Sequence, residues 1–429
     1  MPHPDKTIRS WCLFDWANSA FATTVMAAML PIFFRRVGCA SLAPDEQHLA
    51  TSFWGYTSAA AMLAVSLLSL LLGPIADHGS SKKRFLAVFT GTGVLSTCLL
   101  AFTGAGDWLA ISLLFLFGNI GFAGGEVFYD ALLPHIAPPG GLNRISTRAY
   151  AMGYLGGGIL LAVNIAMVYL LPAAPAGSSG AVPLLAMQLS FLSAGLWWGF
   201  FSIPLFRDVP EPAGERPALR GIRLTGVTVR RLKDTFSHIR QYRNLFLFLL
   251  AFWFYNDGIG TIIKMATAYG DEIGIGTLDM VGALLLTQAV GIPCSIWFGR
   301  VADRIGSKNG ILGGLAMYIL ISVGGFMMTK AWQFWVLAGS VGLVQGGTQA
   351  LSRSLFASLV PKDRSAEFFS FYNISGKFAG ILGPAVFGFV GQATGNSRLG
   401  ILSLLFFFIT GGLLLTKVSA TSQSGAAGS

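Results

Sequence analysis

The chain is written in long apolar blocks of about twenty residues or more, bounded by Gly, Pro or charged clusters. This is the feature that most restricts its fold. A backbone inside hydrocarbon finds no hydrogen-bond partner outside itself, so only helices and closed barrels span a bilayer. Barrel strands are about half this length and alternate apolar with polar residues, which these blocks do not. The blocks fall at 11–34, 51–76, 85–104, 108–133, 147–171 and 183–206, then at 244–268, 279–302, 309–329, 332–360, 366–393 and 398–416. We number them spans 1 to 12.

The expected fold class is therefore all-α integral membrane, with twelve transmembrane helices in two six-helix bundles. The expected organisation is an N-terminal bundle at 1–206, a linker at 207–243, a C-terminal bundle at 244–417 and a disordered tail at 418–429. The linker is basic and its first part rich in Pro and Gly; a short amphipathic helix is expected near 229–242. Asp15 interrupts the first apolar run early and no small-residue cleavage site follows, so span 1 is expected to be retained rather than cleaved as a signal.

Only 11% of residues are charged, against roughly a quarter in soluble domains. The chain carries 29 Lys and Arg against 19 Asp and Glu, a net +10. That excess is topological. The basic residues cluster at the N-terminus, in the loops after even-numbered spans and in the tail, whereas the other loops hold Arg35, Arg36, Lys330 and Arg398. By the positive-inside rule both termini and the linker are expected in the cytoplasm, with the chain multi-pass in the cell's inner (plasma) membrane. No nucleic-acid partner is expected. The four Cys and five His residues are scattered without metal-ligand spacing, so no metal and no cofactor is expected. Neither a GxSxG elbow nor a Cys-His pair nor a phosphate-binding GxxxxGK[ST] loop is present, which argues against an enzyme and against a primary pump.

The two halves echo each other. GPIAD (Gly73 to Asp77) returns as GRVAD (Gly299 to Asp303), and at nearly the same offset Pro134 returns as Pro361 and GYLG (Gly153 to Gly156) as GILG (Gly380 to Gly383). A constant offset with unchanged helix order describes parallel repeats related by an axis along the membrane normal. The loops GPIADHGSSKKR and GRVADRIGSKNG resemble the GxxxDRxGRK signature of the major facilitator superfamily. The second copy matches well at Gly299, Asp303, Arg304, Gly306 and Lys308; the first has His78 and Ser80 at two signature positions, with Lys82, Lys83 and Arg84 restoring the charge. The resemblance implies a conformational latch carried by Gly73, Asp77, Arg84, Gly299, Asp303 and Arg304, and a central cavity lined by spans 1, 4, 7 and 10.

Charges inside the membrane cost several kcal/mol unless paired or wet, and so mark a pathway. They are Asp15 on span 1, Glu126 and Asp130 on span 4, Asp257 and Lys264 on span 7, Arg353 on span 10 and Lys377 on span 11. Glu126 and Asp130 share a helical face beside Tyr129, and the repeat offset carries Glu126 onto Arg353. These two are expected to pair as a gate or to bracket a zwitterionic substrate. Asp257, in FWFYNDGIG beside Asn256, and Glu126 are the candidate proton-coupling acids, a desolvated carboxylate being suited to proton exchange. A chain of internal salt bridges through Lys264 is the alternative reading of Asp257. Asn18, Gln288, Gln345, Gln349 and Asn373 are expected to line the cavity or to hydrogen-bond between helices.

Further strings, WCLFDWANSAFATT (Trp11 to Thr24), FYDALLPHIA (Phe128 to Ala137), FYNDGIGTII (Phe254 to Ile263), QGGTQALSRSLFASLVP (Gln345 to Pro361) and RSAEFFSFYNISGKFAGILGP (Arg364 to Pro384), resemble the vacuole-effluxer family, whose fungal members export amino acids from the vacuole. The short loops resemble bacterial members of that family. The resemblance implies a secondary transporter of a small polar or zwitterionic solute, an amino acid or related metabolite, working by rocker-switch alternating access with protons as candidate partners. A lipid or amphiphile translocase of the same fold is the alternative, kept open by the 34 Phe residues. The expected partners are a small-molecule substrate and the lipid bilayer, with the protein a monomer.

Overall fold

The computed structural model describes residues 4–41, 57, 60, 61, 64, 81–171, 184–212, 242–273, 275, 277–378, 380, 382–394 and 397–419. Among these residues every regular element is helical. Span 1 begins as α1 (Pro4–Ala20) and runs on through a π-helical stretch Phe21–Met29, the α-helical turn Leu30–Phe33 and a second π-helical stretch Phe34–Gly38. Spans 3 to 6 are α2 (Lys82–Leu99), α3 (Trp108–Ile136), α4 (Leu142–Leu170) and α5 (Leu184–Asp208). Spans 7 to 10 are α6 (Arg243–Glu272), α7 (Thr277–Ile305), α8 (Ser307–Met327) and α9 (Ala331–Leu359). Span 11 comprises α10 (Ser365–Phe378) and α11 (Leu382–Thr394), and span 12 is α12 (Ser397–Thr416).

Nine helices among the described residues are long and apolar enough to cross a membrane. Neither α9, whose second half carries Gln345, Gln349 and Arg353, nor the two short pieces of span 11 belong to that set. Span 2 lies almost entirely outside the described residues, as do Gly73 and Asp77 and the expected amphipathic helix of the linker. Span 11 departs from expectation. The block 366–393 reads as one helix, but Gly380 is in a turn, and the Gly383-Pro384 pair that follows supplies a residue unable to continue the backbone ladder of the preceding helix.

Two compact units are present. The first holds α1, α2 and α5 with α3 up to Tyr129 and α4 from Met152; the second holds Asp130–Ala151 together with α6 to α12. Within the first unit α1 lies along α5, and α5 packs on α2. A buried core of Phe21, Val25, Phe33, Phe191 and Trp198 fills the space between them. The backbones of α2 and α3 touch: a Cβ on Gly121 would collide with the Gly93 nitrogen, so this crossing requires glycine.

Within the second unit α6 lies along α12, α12 packs on α8, and α7 runs against α9. The first and last spans of each repeat therefore pair (α1 with α5, α6 with α12), and the third and last pair likewise (α2 with α5, α8 with α12). The sequence repeat is thus matched by a repeat in packing.

Candidate functional site

The ends of α3 and α4 contained in the second unit meet α7 and α9 in a network centred on Arg353. That side chain is 3% exposed. Its Nη1 donates to Asp130 Oδ1 at 3.2 Å, its Nε to Ser146 Oγ at 2.9 Å and its Nη2 to the Ser146 carbonyl at 3.0 Å. The guanidinium also lies over the Tyr150 ring, 4.5 Å from its centroid. Ser146 Oγ in turn donates to the Ala350 carbonyl at 2.8 Å, one turn before Arg353 on the same helix. A buried guanidinium is tolerated only when its donors are met and its charge is balanced. Here Asp130, itself buried, supplies the charge and Ser146 accepts twice. The repeat offset singles out Glu126 for this role; Asp130, one helical turn further along α3, is an acid the structure pairs with Arg353. Glu126 is half-buried in the first unit.

The second signature loop, GRVADRIGSKNG, joins the same region. A Cβ on Gly299 would collide with the Thr147 side chain as it stands, so α7 touches α4 closely at this glycine. Asp303 Oδ2 accepts from Arg144 Nε at 2.5 Å. Asn143 Oδ1 accepts from both Ser307 Oγ at 2.8 Å and Ser354 Oγ at 2.5 Å, linking the starts of α4 and α8 to α9. Arg304 and Arg84 are exposed. Asn143, Arg144, Ser146 and Tyr150 are not among the residues expected from sequence. The available signal is a polar cluster, NRISTRAY, opening an otherwise apolar span.

The lysines that follow the two signature motifs have partners that patterning does not suggest. Lys83 Nζ donates to the carbonyls of Phe206 and Val209, at 3.0 and 2.5 Å, and Lys308 Nζ to those of Thr416 and Val418, at 2.6 and 2.8 Å. Each lysine follows its latch motif, and each caps the last helix of its own half, meeting carbonyls that a helix end leaves unpaired.

On α6, Asp257 is 1% exposed and its Oδ1 accepts the Gly383 N–H at 2.9 Å. Asn256 Nδ2 donates to the Gly376 carbonyl at 3.3 Å. Asn373 is turned to its own helix, donating to the Phe369 carbonyl at 3.1 Å. Lys264 and Lys377 lie on α6 and α10. Gln345 lines a cavity of about 120 Å³ in the second unit, whose walls are otherwise mostly apolar, among them Ile262, Ala266, Ala338 and Phe387. Gln349 and Gln288 are half-buried.

In the first unit Asn18 is buried and Asp15 half-buried, the latter beside Gly153 of α4. Tyr129, expected on the pathway, has its ring in the core: it stacks on Trp11 at 4.4 Å and on Phe14 at 4.9 Å, and its carbonyl accepts from Trp11 Nε1 at 3.1 Å. Asn164 joins Thr24 at 3.3 Å to Ser193 at 3.0 Å, a polar bridge inside this unit that a reading by charge misses because none of the three is ionisable. The described residues contain no group of three or more His, Cys, Asp or Glu arranged to hold a metal.

Comparison with known proteins places this architecture. The model of the family described as "Vacuole effluxer Atg22 like" matches residues 3–140 and 141–427. An uncharacterized MFS-type transporter, YxiO, of Bacillus subtilis (strain 168) is 40% identical, over 96% of this chain and 95% of its own. Autophagy-related protein 22 of Coccidioides immitis (strain RS) is 23% identical, over 97% of this chain and 87% of its own. Among solved structures, the human organic anion transporter MFSD10 (TETRAN) superposes with a TM-score of 0.75 at 13% identity, covering 97% of this chain and 100% of that one. The proton:xylose symporter XylE superposes with a TM-score of 0.71 at 12% identity, covering 98% and 97%. At these identities the structural likeness establishes the twelve-span, two-bundle major facilitator fold. The family match and the Bacillus relative establish the rest: the chain is a multi-pass membrane transporter, not an enzyme, and belongs to the vacuole effluxer Atg22-like family.

Proposed function

We propose that the protein moves a small polar or zwitterionic solute, an amino acid or related metabolite, by rocker-switch alternating access. It does so in the plasma membrane, as a monomer with both termini cytoplasmic. The observation that carries this reading is the Arg353 network. Buried ionic hydrogen bonds that join α9 to the ends of α3 and α4, with the Asp303-Arg144 and Asn143 contacts beside them, are discrete and breakable. Such a set suits a gate with two states better than a permanent wall. The gate lies at the helix ends that border the basic loops, which the positive-inside rule puts in the cytoplasm. The names of the fungal relatives, autophagy-related protein 22, and of their effluxer family favour an exported metabolite.

Proton coupling is part of the proposal, with Glu126 as the acid that exchanges protons. It is half-buried on the face of α3 that also carries Asp130, a setting between water and a low-dielectric interior that suits proton exchange. One observation favours the amphiphile reading instead, namely the largely apolar cavity that Gln345 lines.

The test is net uptake into proteoliposomes of purified protein, using radiolabelled amino acids and, separately, a fluorescent lysolipid, each with and without a pH gradient. Amino-acid uptake driven by the gradient and lost in Glu126→Gln is the expected result. Lysolipid movement with no amino-acid uptake would overturn the proposal.

A further inference from the structure

Span 11 is two helices, and the ends of a broken helix are costly in a membrane. A helix end leaves its last four carbonyls without intrahelical donors, and a helix start leaves its first four amides without acceptors. Hydrocarbon satisfies neither. Two adjacent side chains of α6 answer both ends. Asn256, through its amide nitrogen, donates to the carbonyl of Gly376, one of the last four residues of α10. Asp257, through Oδ1, accepts from the amide of Gly383, in the first turn of α11. The chemistry is matched to polarity: a donor meets the negative end of one piece and a carboxylate the positive end of the other. Pro384, next in sequence, has no amide hydrogen, so it removes one more orphan donor from the same turn.

The fit is close. A Cβ on Gly383 would lie 2.7 Å from Asp257 Oδ1 and closer still to Thr261 Oγ1, whose hydroxyl donates to the Asp257 carbonyl at 2.7 Å. Only glycine lets α11 approach α6 near enough for this hydrogen bond.

We propose that Asn256 and Asp257 are positioning residues that tie the two pieces of span 11 to span 7, so that α10 and α11 turn as separate levers about a fixed point during transport. Their role is to hold backbone ends, and Asp257 carries no transported proton. The functional part rests on the alternating-access reading above; the structural part does not.

The experiment separates the two. Full-length protein with its four native cysteines replaced is spin-labelled at Leu320→Cys on α8 and Phe389→Cys on α11, both exposed positions; the distance distribution is measured in nanodiscs, and net uptake of radiolabelled amino acids is measured in proteoliposomes at several pH values. Asp257→Asn keeps an acceptor oxygen. It is expected to retain a narrow distribution and an unshifted pH profile, with transport within about threefold of the parent protein. Asp257→Ala and Gly383→Ala are expected to broaden the distribution and to lower transport about tenfold or more. A parent-like distribution in Asp257→Ala would overturn the tie, even if no solute were transported. A flattened pH profile in Asp257→Asn, with the distance unchanged, would overturn the positioning role by making Asp257 the proton carrier.

Discussion

Lys83 and Lys308, half a chain apart, make the same contact, since each follows a latch motif and reaches across to cap the carbonyl end of the last helix in its own half. The two ends they fix are the points from which the central linker and the C-terminal tail depart. Among the described residues, the lysine bond is a contact that both copies share.

Replacing either lysine should loosen its helix end without changing the fold. A cation at a helix C-terminus contributes about 0.3–1 kcal/mol, and up to about 2 kcal/mol when partly buried. Lys83→Ala and Lys308→Ala should each lower the unfolding midpoint of the purified protein by a few degrees, with Lys→Arg restoring most of the loss. Equal effects at the two sites would reflect their equivalence.

Breaking the Arg353-Asp130 pair should cost more. Removing one partner of a buried pair costs about 3–5 kcal/mol because the other charge stays buried. Arg353→Ala and Asp130→Ala should both lose transport and should both raise the accessibility of cysteines placed near Ser146. The exchange Asp130→Arg with Arg353→Asp should recover part of the transport if the pair is a gate, and none if the two groups grip the solute.

The crossing of α7 and α4 at Gly299 offers a double-mutant cycle. Gly299→Ala places a methyl group where Thr147 Oγ1 stands, and overpacking of this kind costs about 1–3 kcal/mol. Thr147→Ala clears that space. The pair should be less destabilised than the sum of its parts by at least about 0.5 kcal/mol, measured by thermal unfolding.

The cavity lined by Ala266 and Ala338 separates the two solute readings. Ala266→Val adds two methyl groups to an apolar void, and cavity filling commonly adds about 0.5–2 kcal/mol of stability. If amino acids travel elsewhere, this variant should be more stable and fully active. If an amphiphile binds in the cavity, the same change should abolish its movement.

The spans and the repeat are legible in the sequence because lipid enforces them: block length and offset follow from bilayer thickness and from duplication. The GRVAD motif is legible as a signature, and the structure seats its Gly299 and Asp303 against Thr147 and Arg144. What patterning does not resolve is azimuth and partner. The repeat offset fixes the depth of Glu126 opposite Arg353 but not which acid on that face the guanidinium meets, and Asp130 is one turn away. Tyr129 reads as a polar handle between two acids, yet its ring stacks on Trp11 and Phe14, because an aromatic gains more from two faces of contact than a hydroxyl gains from water. In GKFAGILGP the glycines read as close packing, which Gly383 fulfils, but with Gly380 and Pro384 they also mark the end of one helix and the start of another.

The wide turns of span 1 carry a consequence for that helix alone. A π-helical stretch accommodates more residues per turn than an α-helix, so Phe21–Met29 rotates everything beyond it relative to Trp11 and Asp15. A wheel drawn at uniform pitch from the DWANSAF segment would assign Leu30 and Phe33 to the wrong neighbours. Deleting one residue within the stretch would convert a wide turn to an ordinary one and swing the far end of the helix, while the segment holding Asp15 and Asn18 kept its bearings.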